Sequence, residues 1–366
     1  MRNVQAAAHA ASIVQSIIMY MSMTMNKKKI LLGMSGGVDS TFSAVRLLNE
    51  GYDVEGAILV MSEHTDTSSA EINAKKLGIP LHIVDCREKF DEFVKKNFIS
   101  EYCNARTPNP CTVCNRYVKM AELCRVAESI GAEKIATGHY CGIGYDEASG
   151  RYYPKKGADA RKDQSYVFWN LTQKELSMLY CPLFADSKSE VKELARESGI
   201  DVPEGESQDI CFVPDGDYHA AFIEKAVGKL PEGDFVDENG KVLGRHKGIA
   251  YYTVGQRKGL GISAGKPVFI SKIDAGSNTI TVSDESALFS TEFTCSSLNF
   301  AKLAPFEGTI CAQVKARYAA KPTDAEVTVS GGRAYVKTAV PVRAATPGQS
   351  AVFYDGDDVL FGGFID

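Results

Sequence analysis

From Lys27 onward the chain alternates short apolar runs with amphipathic ones. KILLGM (29–34) reads as a buried strand, TFSAVRLLNE (41–50) as a helix stopped by Gly51, and VEGAILVM (54–61) as a second strand. SAEINAKKL (69–77) is a helix closed by Gly78 and Pro80, and LHIVDC (81–86) a third strand. A helix over EKFDEFVKKNFISEY (88–102) and another over RYVKMAELCRVAESI (116–130) follow, the latter stopped by Gly131 before the strand EKIATGH (133–139). Ser187 and Glu190 form a capping box for a helix ending at Gly199. Repeated strand–helix units predict an α/β fold: a doubly wound parallel sheet with ligands at the carboxyl ends of its strands.

Past residue 212 the period shortens. PVFISKI, TITVSDE, TICAQVKARY, AEVTVSG, RAYVKTAV and QSAVFYDG are short, β-rich and separated by turn-forming stretches such as DAGSN and TPG. The expected organisation is a catalytic domain over 27–211, a small linking domain over 212–289 and a C-terminal β-barrel over 290–366. Residues 1–26, Ala- and Met-rich and without the clean apolar run of a signal peptide, are expected to be a disordered extension, with Met25 the more natural start.

Composition narrows the class. Hydrophobic residues at 44% and charged residues at 24% suit a soluble globular protein, and no apolar run approaches the length of a membrane span. The net charge of −5 argues against nucleic-acid binding driven by bulk charge, but residues 155–162, 244–248 and 314–321 gather local positive charge. Ten cysteines in a chain this long are no disulfide framework. Cys86, Cys124, Cys141, Cys295 and Cys311 are expected in the core. Cysteines in polar, proline-marked contexts are candidates for chemistry.

The first strand runs into Ser35-Gly36-Gly37-Val38-Asp39-Ser40, and a helix opens behind it. Tandem glycines free backbone amides to face an anion, and the helix N-terminus favours negative charge. An aspartate in such a loop makes sense if it holds Mg²⁺ against a leaving pyrophosphate. No Lys-Ser/Thr ending is present, so this is not a Walker loop. The string resembles the loop of the ATP pyrophosphatases, which cleave ATP between the α- and β-phosphates.

Further motifs follow in order: Arg106-Thr-Pro-Asn-Pro-Cys-Thr-Val-Cys114, Ala136-Thr-Gly-His-Tyr140, Lys162-Asp-Gln-Ser-Tyr166, Asp209-Ile-Cys-Phe212, Gly255-Gln-Arg-Lys-Gly-Leu-Gly261 and Thr346-Pro-Gly-Gln-Ser-Ala-Val-Phe353. Together they resemble the bacterial tRNA-specific 2-thiouridylases over residues 28–366. The resemblance implies a cytoplasmic, ATP-dependent sulfurtransferase acting on the wobble uridine of glutamate, glutamine and lysine tRNAs. It implies ATP on Gly33, Met34, Ser35, Gly36, Gly37, Val38, Asp39, Ser40, Leu59 and Gly138. It makes Cys114 the nucleophile, activated at a helix N-terminus, and Cys211 the persulfide carrier. It sets Asn109, Pro110 and Cys111 beside the target base and assigns tRNA contacts to His139, Lys162, Asp163, Gln164, Arg317, Tyr318 and Gln349. Asp163, flanked by Lys162 and Gln164, is not expected to touch phosphate directly. A sulfur-donating carrier protein or cysteine desulfurase is the implied partner.

At one position the chain departs from that family. Many relatives have Asn-Pro-Asp before the nucleophile; here the third residue is Cys111. With Cys114 and Cys211 it makes three thiols, leaving open an iron–sulfur cluster, a zinc site or free thiols. Two other classes stand as rivals: another ATP pyrophosphatase such as an NAD synthetase, and a non-catalytic tRNA-binding module.

Overall fold

A computed structural model describes residues 27–202, 210–213, 219–263 and 265–366. The expected extension 1–26 and Asp209 lie outside the described residues.

Near-continuous apolar runs make the first strands, as burial on both faces of a parallel sheet requires. β1 (Lys29–Gly33), β2 (Asp53–Val60), β3 (Leu81–Asp85), β4 (Lys134–Thr137) and the short β7 (Leu179–Tyr180) form a parallel sheet in the order β3-β2-β1-β4-β7. Helices α1 (Val38–Asn49) and α2 (Ser68–Leu77) connect the first three strands. Consecutive strands run one way from β1 and then the order reverses to β4. That reversal opens a crevice at the carboxyl ends of β1 and β4, where the Ser35–Ser40 loop lies.

The long helix expected over 88–102 is present but not uniform. α3 (Arg87–Phe90) passes through a π-helical turn (Asp91–Lys95) into α4 (Lys96–Cys103). The same device recurs downstream: α5 (Pro110–Cys114), a π-helical turn (Asn115–Lys119) and α6 (Met120–Ile130) make one continuous rod. A π turn inside a helix is uncommon and concentrates at functional sites.

The hairpin β5 (Cys141–Asp146) and β6 (Arg151–Lys156) departs from the expected domain plan: it leaves the parallel sheet and pairs with the barrel. α7 (Gln173–Met178), the short β7 (Leu179–Tyr180) and α8 (Lys188–Glu197) complete this part, each helix opened by a capping box.

A helix, α9 (His219–Val227), leads into a four-stranded sheet of β8 (Gly233–Val236), β9 (Val242–His246), β10 (Phe269–Asp274) and β11 (Thr279–Ser283), in the order β10-β11-β8-β9. The remaining strands alternate polar and apolar residues. β12 (Phe289–Phe300), β13 (Gly308–Lys315), β14 (Thr323–Ser330), β15 (Arg333–Arg343), β16 (Ser350–Asp355) and β17 (Asp358–Ile365) pair antiparallel and close through β12–β17 into a six-stranded barrel. Closure leaves no free edge among these six. Val327, Val336, Phe353 and Phe361 fill the interior.

Cys86, Cys124, Cys141 and Cys295 are buried as expected, but Cys311 is exposed. It lies opposite Glu326 on β14, on the outward side of β13, so strand alternation puts it in water.

Candidate active site

The loop after β1 is shaped by two close approaches. Gly36 has φ +83°, and a Cβ there would lie 2.7 Å from the Ala70 amide nitrogen at the start of α2. Gly138, after β4, sits so close to the start of α1 that a Cβ would meet the Asp39 carbonyl carbon at 2.8 Å and the Ser40 nitrogen at 2.9 Å. Only glycine lets these backbones meet, and their meeting sets the floor of a cavity of about 340 Å³. Gly33, Met34, Ser35, Asp39, Ser40, Leu59 and Gly138 line it. Gly37 and Val38 support it from behind: the Gly37 carbonyl accepts from the Ser40 and Thr41 hydroxyls, and Val38 packs on Phe42 and its neighbours.

The Asp39 carboxylate is not open to solvent alone. Lys188 Nζ donates to both its oxygens at 2.7 and 2.6 Å, and the Tyr140 hydroxyl donates at 2.7 Å. A cation therefore already faces Asp39 and engages both carboxylate oxygens; Mg²⁺, if held by Asp39, would share them with Lys188.

Two residues assigned to tRNA by resemblance also line this cavity. His139 donates to or accepts from the Thr137 hydroxyl at 3.0 Å; burial pushes its pKa down to about 3, with the Lys119 charge acting in the same direction, so the ring is neutral. Gln164 accepts the Tyr140 amide at 2.9 Å. Asp163 is buried and accepts from the Gly157 and Ser165 amides and the Ser165 hydroxyl, which makes it a loop organiser. The Tyr318 hydroxyl donates to the Asp163 carbonyl at 3.1 Å. Arg317 donates to Ala344 and Val254 carbonyls and to the Thr346 hydroxyl, pinning the barrel to the four-stranded sheet domain. Gln349 donates to the Thr107 and Pro108 carbonyls at 2.9 and 3.2 Å. The barrel thus holds the segment leading to Asn109, and Lys162 belongs to the same loop as Asp163.

Asn109 caps α5, its side chain accepting from the Thr112 amide at 3.3 Å, with Pro110 at the first helical position. Cys111, one residue further, is exposed at this helix start. Cys114 is not: it ends α5, one turn inside the rod, and is 4% exposed. The expected activation by a helix N-terminus therefore belongs to Cys111 by position. Burial pushes the Cys114 thiol up to about 11, against the pull of Lys119. Its Sγ lies 4.0 Å from Met61 Sδ, and Met61 lines the nucleotide-sized cavity.

Cys211 is exposed in the turn Ile210–Val213. The next residue, Phe212, packs edge-on against Phe90, Phe98 and Phe222, anchoring this turn over α3 and α4. Cys211 comes within electrostatic reach of Cys111, Cys114 and Lys119. Among the described residues no group of three or more His, Cys, Asp or Glu is arranged to hold a metal ion. The three thiols share a neighbourhood, but with Cys114 turned into the core and Cys111 in solvent they do not fit a cluster or a zinc ion.

Lys119 is the residue sequence reasoning missed. It closes the π turn begun after Cys114 and lines the same cavity as the phosphate loop. Its signal was a lone lysine five places beyond the cysteine, indistinguishable in sequence from an ordinary solvated helix position.

Residues 28–215 match the family described as tRNA methyl transferase HUP domain, 220–284 the tRNA methyl transferase PRC-barrel domain and 290–365 the aminomethyltransferase beta-barrel domain. Whole-chain relatives carry a different activity in their names. The tRNA-specific 2-thiouridylase MnmA of Acetivibrio thermocellus is 43% identical over 359 residues, 93% of this chain and 100% of its own. The MnmA proteins of Clostridium perfringens and Clostridioides difficile are 40% and 42% identical, covering 93% and 94% of this chain and 99% of theirs. With the phosphate-loop cavity and the terminal barrel in one chain, and likeness of this extent, the protein belongs to the tRNA-specific 2-thiouridylases, a family of tRNA sulfurtransferases.

Proposed function

We propose that this protein activates the wobble uridine of glutamate, glutamine and lysine tRNAs with ATP and replaces its C2 oxygen by sulfur from a cysteine persulfide. One observation carries the reading: Cys114 packs against Met61, and Met61 and Lys119 form a wall of the cavity floored by the phosphate loop. A nucleotide and a nucleophilic sulfur therefore meet across one wall.

The uridine C2 oxygen attacks the α-phosphorus of ATP, and the bond to pyrophosphate breaks. Backbone amides at the start of α1 and the Ser35 and Ser40 hydroxyls, whose oxygens lie 3.2 Å apart, suit the phosphates. Mg²⁺ held by Asp39 would neutralise the leaving pyrophosphate. The terminal sulfur of a persulfide on Cys211 then attacks C2, and AMP leaves with the C2 oxygen. The Cys114 thiolate attacks Cys211 Sγ, forming a Cys114–Cys211 disulfide and releasing the sulfur on C2 as 2-thiouridine. A dithiol reductant restores both thiols, and a carrier protein or cysteine desulfurase reloads Cys211.

Neutral His139 and the Gln164 side chain, at the cavity, suit a splayed base rather than a phosphate. Arg317, Tyr318, Gln349 and the Lys162 loop present the barrel side to the anticodon stem-loop. The test is direct. Purified protein, ATP, unmodified glutamate tRNA and a persulfide donor are incubated, and nucleosides are analysed by mass spectrometry. 2-Thiouridine at the wobble position is expected; its absence, with ATP consumed or not, refutes the assignment.

A further inference from the structure

Lys119 stands where two chemistries meet. It lies at the end of a π-helical turn whose capping residue is Cys114, so the wider turn brings position 119 back over position 114. The Cys114 thiol is influenced by both the charge and the backbone amide of Lys119. On its other side Lys119 lines the cavity with Ser35, Asp39, Ser40, Gly138 and His139. Burial pushes the lysine's pKa down, and the Cys114, Cys111 and Cys211 sulfurs, once ionised, push it up, so that the net direction is upward. Among the described residues no carboxylate is paired with it: Asp39 is held by Lys188 instead. A half-buried ammonium facing thiols is poorly used in the resting protein, since neutral thiols compensate a charge weakly. It becomes well used when a phosphate or a sulfur anion arrives.

Resting on the function proposed above, we infer that Lys119 is the cation common to both half-reactions, facing the nucleotide phosphates during activation and facing the Cys114 sulfur as it becomes the thiolate that attacks Cys211. In activation it receives charge that grows on the α-phosphate oxygens. In sulfur transfer it lies by the Cys114 thiol, which burial alone would keep protonated. Lys188 cannot take this second part, because its ammonium is committed to Asp39 and stacks over Tyr140 at 5.6 Å. The geometry also fits the interrupted helix: a regular α-helix, turning about 100° per residue, would set position 119 about 140° round from position 114, whereas the wider π turn brings the two closer.

The experiment separates activation from sulfur transfer in single turnover, using full-length wild type, K119M and K119R with tRNA and persulfide-loaded protein. Melting temperature and far-UV circular dichroism check the fold of each. K119M is expected to lose thiolation on the order of 100-fold or more and tRNA-dependent pyrophosphate release by a smaller factor, as removal of a charge aimed at a developing anion does. K119R, which keeps the charge, is expected to recover thiolation to within about tenfold of wild type. A folded K119M that thiolates within about threefold of wild type overturns the inference. So does a pair of folded variants equally inactive, which would assign the position to shape rather than charge. If K119M fails to fold, the decision passes to K119R and K119Q, where recovery in arginine alone supports the charge and equal activity in both refutes it. A wild type that makes no 2-thiouridine refutes the proposed function itself, a result distinct from any difference among the variants.

Discussion

At the residue scale, Asp39 and the cysteines make the sharpest tests. Asp39→Ala removes the carboxylate that Lys188 holds in the phosphate site, and tRNA-dependent pyrophosphate release is expected to fall on the order of 100-fold. Both binding and chemistry assays read it, and an unchanged rate would remove Asp39 from the machinery. Cys114→Ser and Cys211→Ser are each expected to abolish thiolation while sparing pyrophosphate release. Cys311→Ser should change nothing measurable, because that thiol faces water on the outside of the barrel. Cys111→Ser, read against the persulfide route, should keep activity within about tenfold, since an exposed thiol off the disulfide path contributes only to the environment of Cys114. His139 carries the pH dependence. Its folded pKa, about 3, lies below the ordinary 6.5, so the neutral ring's contribution to stability is complete above 6.5 and is lost as pH falls toward 3. His139→Gln should flatten the acid limb of a melting-temperature profile between those values. Most of these residues stood out in sequence because glycine, proline and cysteine mark special backbone and chemistry. Lys119 did not, because nothing local distinguishes a lysine that faces a cavity from one that faces water.

Elements decide whether those residues meet. The strand–loop–helix order at 29–49 was readable from hydrophobic periodicity and the tandem glycines. The role of Gly138 was not, since its partner is the start of α1, about a hundred residues earlier. Gly138→Ala forces a Cβ into the Asp39 and Ser40 backbone, and ATP binding is expected to weaken on the order of 100-fold with only a modest fall in melting temperature. Isothermal titration with ATP checks it, and affinity equal to wild type would show that the loop can retreat without cost. The rod from Pro110 to Ile130 teaches the opposite lesson. Its periodicity predicted a helix, but its π-helical interruption, like the one at Asp91–Lys95 in the preceding helix, left no mark in the pattern, because one extra residue per turn barely shifts an apolar stripe. The structure starts this helix at Pro110 behind the capping Asn109, earlier than the expected 116, and so places Cys111, not Cys114, at the dipole end.

Across the whole molecule, the hairpin β5–β6 and the barrel form one sheet, so the catalytic part and the C-terminal part are not independent bodies. Trp169 sits at this junction. It is fully buried, packs edge-on against Phe364 at 5.2 Å, and a Cβ on Gly362 would meet its ring at 2.5 Å. Trp169→Ala is expected to cost about 3–5 kcal/mol and to lower a single unfolding transition rather than split it. Two well-separated calorimetric transitions in the wild type would contradict that coupling. The chain by itself determined the parallel sheet, the phosphate loop and the β-rich C-terminal half, because each is written in local periodicity or in residues with special backbone chemistry, whereas only the family resemblance singled out Cys114 and Cys211. Tertiary structure alone decided that Asp39 faces Lys188, that Cys114 is buried beside Met61, that Arg317 and Gln349 tie the barrel to neighbouring segments, and that Lys119 lies between cavity and thiols. Those facts depend on which distant segments are brought together, and burial, charge pairing and pKa are properties of that meeting rather than of any stretch of sequence.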